Sequence, residues 1–112
     1  MRIAIPIHDG RLCAHFGHCS AFALLDIDPE AKKIIGSARV EPPPHAPGVL
    51  PRWLKDQGAD IVIAGGMGGR AQALFAEAGI EVVTGVPEHT PEELALAFAT
   101  GTLEHGDNIC DH

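Results

Sequence analysis

The chain reads as an α/β domain built on a mixed sheet, and three observations carry that reading. Apolar runs of strand length recur at Arg2 to Ile7, Ser20 to Ile27, Lys32 to Val40, Asp60 to Ala64 and Glu81 to Val83. Segments with helical spacing begin only after the proline-rich stretch that ends at Pro47, so a block of strands precedes an alternation of helix and strand. Turn residues mark the changes, at His8-Asp9-Gly10, Asp28-Pro29-Glu30, Gly58, Gly65 to Gly69 and Gly79. The predicted order of elements is βββαβαβα.

The first run is apolar from Ile3 to Ile7, as expected of a buried strand, and the turn at Asp28-Pro29-Glu30 joins the second and third runs as a hairpin. Ile34, Gly36, Ala38 and Val40 fall on one face of the third. Pro42-Pro43-Pro44 then forces an extended segment through His45 and Ala46 to Pro47. Val49, Leu50, Trp53 and Leu54 recur at helical spacing and Gly58 ends that helix. A second helix is expected from about Arg70 to Ala78, closed by Gly79. Thr90-Pro91-Glu92-Glu93 has the form of a capping box with proline at the first helical position, opening a last helix to about Ala99.

With a meander first and right-handed crossovers after, strand one lies beside strand four and the five-stranded sheet has the order 3-2-1-4-5. Strands one, three, four and five are then parallel, and their carboxyl ends share one edge. That edge carries the loops His8 to Cys19, Pro42 to Pro47, Gly65 to Gly69 and Thr84 to His89. The strand order reverses between strands one and four, where open α/β sheets bind their ligands.

Composition narrows the function classes. A chain of 112 residues with 46% hydrophobic content is long enough for one core. The expected division is one domain over 1–100 and a flexible, glycine-bearing tail over 101–112. No apolar run approaches membrane-spanning length, and Met1 to Pro6 lacks the form of a signal peptide, so a cytoplasmic protein is expected. A net charge of -7 with only eight Lys and Arg argues against nucleic acid or an anionic membrane as partner. Three cysteines, an odd number, read as free thiols or metal ligands in a reducing compartment.

Cys13, His15, His18 and Cys19 crowd two thiols and two imidazoles into seven residues, a density of soft and borderline ligands that points to a metal. Cys110 and His112 repeat the pairing at the far end, where the tail is long enough to reach back as a lid. The alternatives are a backbone-bonded loop histidine at His15, a small buried hydrophobe at Cys19, and a frayed terminus carrying incidental Cys and His. Gly65, Gly66, Met67, Gly68 and Gly69, opening a helix, can turn amides toward an anion, with Met67 as thioether donor or apolar wall. The competing reading is a tight turn whose glycines serve the backbone alone. The run Gly66 to Ala71 also satisfies GxGxxA, but it follows a fourth strand and no acid ends the next one to hold a ribose. His45, His89 and Asp9 share the edge as single residues and rank low.

His15-Phe16-Gly17 with Phe22, Gly65-Gly66-Met67-Gly68 with Ala71, and Asn108-Ile109-Cys110-Asp111-His112 resemble the dinitrogenase iron-molybdenum cofactor biosynthesis family, in particular its small stand-alone, nitrogenase-accessory-factor-like members. The resemblance covers essentially the whole chain. It implies a ribonuclease-H-like three-layer fold without the nuclease, and a protein that binds, stores or passes on an iron-sulfur or molybdenum-containing cluster. His15 is the ligand that the family motif carries over; Cys13 and Cys19 rest on their own chemistry. The sequence thus points to a cluster carrier without turnover, with donor and acceptor proteins as partners and a homodimer open. A cofactor-free interaction module and a metal-dependent or thiol redox enzyme are the alternatives, the last weakened because no nucleophile, base and orienting partner stand out.

Overall fold

Both faces of the central strands are apolar, and the side-chain alternation of those strands feeds two separate cores. The computed structural model describes residues 1–13, 20–28, 30–43 and 48–103. Its elements are β1 (Arg2–His8), β2 (Arg11–Leu12), β3 (Ala21–Asp28), β4 (Lys33–Val40), α1 (Val49–Asp56), β5 (Ile61–Ile63), α2 (Gly69–Glu77), β6 (Glu81–Val83) and α3 (Pro91–Thr100). Ile3, Ile5 and Ile7 of β1, Ala23, Leu25 and Ile27 of β3, and Ile61 and Ile63 of β5 meet Leu94 and Ala95 of α3 on one face. Ala4, Phe22, Leu24 and Val62 meet Leu50 and Leu54 of α1 and Phe75 of α2 on the other. Trp53 stands edge-on to Phe22, ring centres 5.6 Å apart. Buried strands of this kind show no polar alternation, hence the continuous apolar runs.

The sheet runs β4-β3-β1-β5-β6, with β2 pairing on β1 off that path. β1 is antiparallel to β3 and parallel to β5, and β5 is parallel to β6. Among the described residues the sheet therefore has six strands where the sequence predicts five. The extra one follows a two-residue turn at Asp9 (φ 53°) and Gly10 (φ 79°), the left-handed pair favoured in a tight hairpin. Two residues cannot show a period of two, so only the Asp-Gly dipeptide signals this strand.

Pro6 sits inside β1 without breaking a ladder. β1 pairs β5 at Ile3 and Ala4 and pairs β2 at Ile7 and His8, so Pro6 occupies the junction between them, where its missing N–H costs no strand bond. At the amino end of the sheet, Arg2 ties three segments: its guanidinium donates to both Asp26 carboxylate oxygens at 2.8 and 3.2 Å and to the Gln57 carbonyl, and its N–H donates to Asp60 at 2.9 Å. Gly101, at φ 76°, ends α3, the Thr102 N–H donates to the Ala97 carbonyl at 2.8 Å, and Leu103 packs on the α3-side core. The first three residues of the expected tail are thus fastened to the domain; residues 104–112 lie outside the described residues. Among the described residues no helix is long and apolar enough to cross a membrane.

Candidate functional site

The carboxyl ends of β1 and β5 bring the cysteine-bearing loop and the glycine-rich turn together. β2 lies on the same side of β1 as β5, immediately beyond the end of β5. The Cys13 N–H donates to the Pro6 carbonyl at 2.9 Å and the Ser20 N–H donates to the Ile7 carbonyl at 2.9 Å, so both stems of the loop are pinned to adjacent residues of β1. Continuing the parallel register from Ala4 opposite Val62 places Ala64 and Gly65 at the level of Pro6 and Ile7, one strand spacing away, about 4.8 Å. The segment after β6 fastens both: Gly85 N–H to Gly65 carbonyl at 2.7 Å, and Leu12 N–H to His89 carbonyl at 3.0 Å.

Within the turn the five predicted residues divide. Gly65, Gly66 and Met67 are buried, whereas Gly68 and Gly69 are exposed. Met67 is 1% exposed and belongs to the core shared by α1 and α2, so of its two readings the structure favours the apolar wall. Its carbonyl accepts from the Gln72 side chain at 3.0 Å, which holds the turn against the first turn of α2. Gly68 is the N-cap of α2, with φ -62° and ψ 150°, a conformation open to any residue, and a Cβ there would meet nothing within 4 Å. Neither strain nor crowding among the described residues explains glycine at that position. The cap position has no side chain to accept from the helix, and the first turn holds no acid. The first-turn amides have no acceptor inside the helix and carry the positive end of its dipole, at the helix start that follows the carboxyl end of β5.

Of the predicted metal ligands, Cys13 is described and is 7% exposed, a buried thiol at the loop stem. His15, His18, Cys19, Cys110 and His112 lie outside the described residues, as does His45. Among the described residues no three His, Cys, Asp or Glu side chains come together to hold an ion. His8 and Asp9 are exposed and 3.6 Å apart. His89 faces Glu93 at 3.8 Å within the start of α3, and Arg11 meets Glu88 at 3.4 Å, a pair that joins β2 to the segment before α3. The Thr90 hydroxyl donates to Glu93 at 2.8 Å and, with His89 and Arg11 nearby, holds that carboxyl below its ordinary range. Sequence reasoning missed the part played by β2 and by Arg11, whose only signal was the Asp9-Gly10 dipeptide.

Fold and edge together define a small mixed-sheet α/β protein with a ligand-type edge between β1 and β5. Residues 1–101 match the model of the family described as dinitrogenase iron-molybdenum cofactor, and the chain belongs to that family. It is 31% identical to the protein MJ0580 of Methanocaldococcus jannaschii over 108 residues, covering 93% of this chain and 90% of the other. The crystal structure of PH0822 is similar at 37% identity, with a TM-score of 0.84 over 95% of this chain and 96% of that one. The apo form of the orange protein from Desulfovibrio gigas shares the fold at 23% identity, with a TM-score of 0.73 over 96% and 93% of the two chains.

Proposed function

We propose that the protein is a cytoplasmic carrier that cradles an anionic metal-sulfur cluster, an iron-sulfur or molybdenum-containing cofactor or precursor, between the Cys13 to Cys19 loop and the Gly65 to Gly69 turn. The observation that carries this reading is the open N-terminus of α2. Gly68 is a glycine that its backbone does not require, at a cap where a Ser or Asp would bond the helix, in the turn that leaves β5 one strand away from the β1 residues that pin the thiol-bearing loop. Such an end offers N–H donors to cluster sulfides and a favourable potential to an anion. Membership of a family named for the iron-molybdenum cofactor points the same way. We read the fold as ribonuclease-H-like, a reading supported by the mixed sheet with helices on both faces.

In this reading His15, Cys13, His18 and Cys19 supply metal ligands, with Cys110 and His112 closing from the tail. These six side chains are the candidates from which a small ligand set would be drawn, and a site that relies on amide contacts as well suits a cargo that has to leave again, passing from a donor protein to an acceptor; no turnover is assigned. The test is metal and acid-labile sulfide content with the visible spectrum, after anaerobic purification and reconstitution, of the wild type, the His15→Ala/Cys13→Ser double variant and Gly68→Asp. Iron, molybdenum or copper with sulfide in the wild type, lost in the double variant and reduced in Gly68→Asp, is expected. A colourless wild type that resists reconstitution, or zinc without sulfide, would overturn the proposal.

A further inference from the structure

We propose that the β6 edge is a docking groove for an extended segment of another protein, apolar at its centre and flanked by Lys or Arg, which adds to the sheet as a further strand. β6 ends the described sheet. The Glu81 N–H donates to the Asp60 carbonyl at 3.1 Å and the Val83 carbonyl accepts from Ala64 at 2.8 Å, so Glu81 and Val83 face β5. By the alternation of a parallel ladder, Val82 and Thr84 turn their N–H and C=O groups away from β5, to the side on which no described strand pairs. A cavity of about 510 Å³ runs along that side, lined by the strand together with Phe98 and Leu103 of the α3 layer. Backbone groups on one wall and apolar side chains on the other are what strand addition needs, the first for affinity and the second for specificity.

The two edges of the sheet are built differently. β4 carries Lys33 and Arg39, follows Lys32, and its pairing with β3 is interrupted by a bulge at Asp26 and Ile27, devices that discourage edge pairing. β6 carries neither Lys nor Arg and pairs with β5 without a register shift; its protection is limited to its three-residue length and the exposed Glu81. Glu81 is the charged residue among those lining the groove, so the complementary partner is basic. A second copy of this chain fits poorly: an antiparallel pairing of two β6 strands about Val82 would make the two Glu81 residues diagonal neighbours on one face, with backbones about 7 to 8 Å apart, in chains that each carry a net charge of -7. This inference does not rest on the cluster reading.

The test selects binders to the full chain from a positional-scanning hexapeptide library and maps the selected peptide by amide hydrogen exchange. Selection of alternating apolar residues flanked by Lys or Arg is expected. At ten times its Kd the peptide should slow exchange at the Val82 and Thr84 amides by about tenfold. Glu81→Lys, an exposed change, should weaken that peptide by about fivefold and shift selection toward acidic flanks. Val82→Pro, which removes the outward N–H, should abolish binding. Failure to select any peptide, protection along β4 instead of β6, indifference to Glu81→Lys, or the same protection arising from self-association without peptide would each overturn the proposal.

Discussion

The N-termini of α2 and α3 are finished in opposite ways, and the contrast separates an end built for stability from one left open. α3 begins at Thr90, whose hydroxyl accepts from the Glu93 N–H at 3.3 Å, with Pro91 following and Glu92 and Glu93 in the first turn. Each of these features favours a helix start. α2 begins at Gly68 with no side-chain cap and no acid, although its backbone conformation would accept a Ser or Asp. Both ends start at the carboxyl edge of the sheet: the capped one is tied to β2 by the Leu12 N–H to His89 carbonyl bond at 3.0 Å and by the Arg11–Glu88 pair, and the open one follows β5 through the Gly65 to Met67 turn. α1 also starts at an uncapped glycine with no acid in its first turn, but Gly48 is at φ 79°, where the backbone itself favours glycine, whereas Gly68 is under no such demand.

The strongest way to break this contrast is to remove the anchor beneath the open end. Met67→Ala should cost about 2 to 5 kcal/mol in urea unfolding, as a buried methionine loses its core contacts. Met67→Leu should stay within about 1.5 kcal/mol of the wild type and keep its cluster loading. A stable Met67→Leu protein that loses sulfide would instead make the thioether a ligand.

Thr90→Ala should cost about 1 kcal/mol at the capped end, read from the same unfolding curves, and leave metal and sulfide content unchanged. Gly68→Asp should do the reverse in both respects. It should add about 0.5 kcal/mol by capping α2 and complementing its dipole, while lowering cluster loading because the carboxylate takes the amides and repels an anion.

The smallest expected effect is on acid stability. The folded pKa of Glu93 is depressed, first by the Thr90 hydroxyl, so its contribution is present above the unfolded carboxylate range and is lost as pH falls through the folded value. Asp26, lowered by its bond from Arg2, behaves in the same sense. Urea midpoints measured between pH 6 and pH 3 should therefore fall less steeply in Thr90→Ala than in the wild type. An equal slope would show that the capped end carries no acid-linked stability.

Local signals made most elements legible. The apolar runs at β1, β3 and β5 were visible because burial on both faces removes polar alternation, and the box at Thr90 to Glu93 marked α3 because capping is a contact over three residues. β2 was not legible as a strand, since two residues hold no pattern and its pairing comes from the turn before it. At the site, the sequence singled out Gly65 to Gly69 as a unit but could not divide it. Burial does that, sending Met67 into the core and leaving Gly68 and Gly69 at the surface.

By itself, then, the sequence determined the element types, the block of strands before the helix-strand alternation and the family, because each is written in neighbouring residues or in short motifs, and by simple count the net negative charge. Only the tertiary structure decided that Pro6 sits at the junction of two pairings, that Cys13 is held over the end of β5, and that the first turn of α2 starts uncapped at that edge. These depend on register between strands more than 50 residues apart in the chain. Register is set by which side chains fill the two cores together, a property that no local stretch of sequence contains.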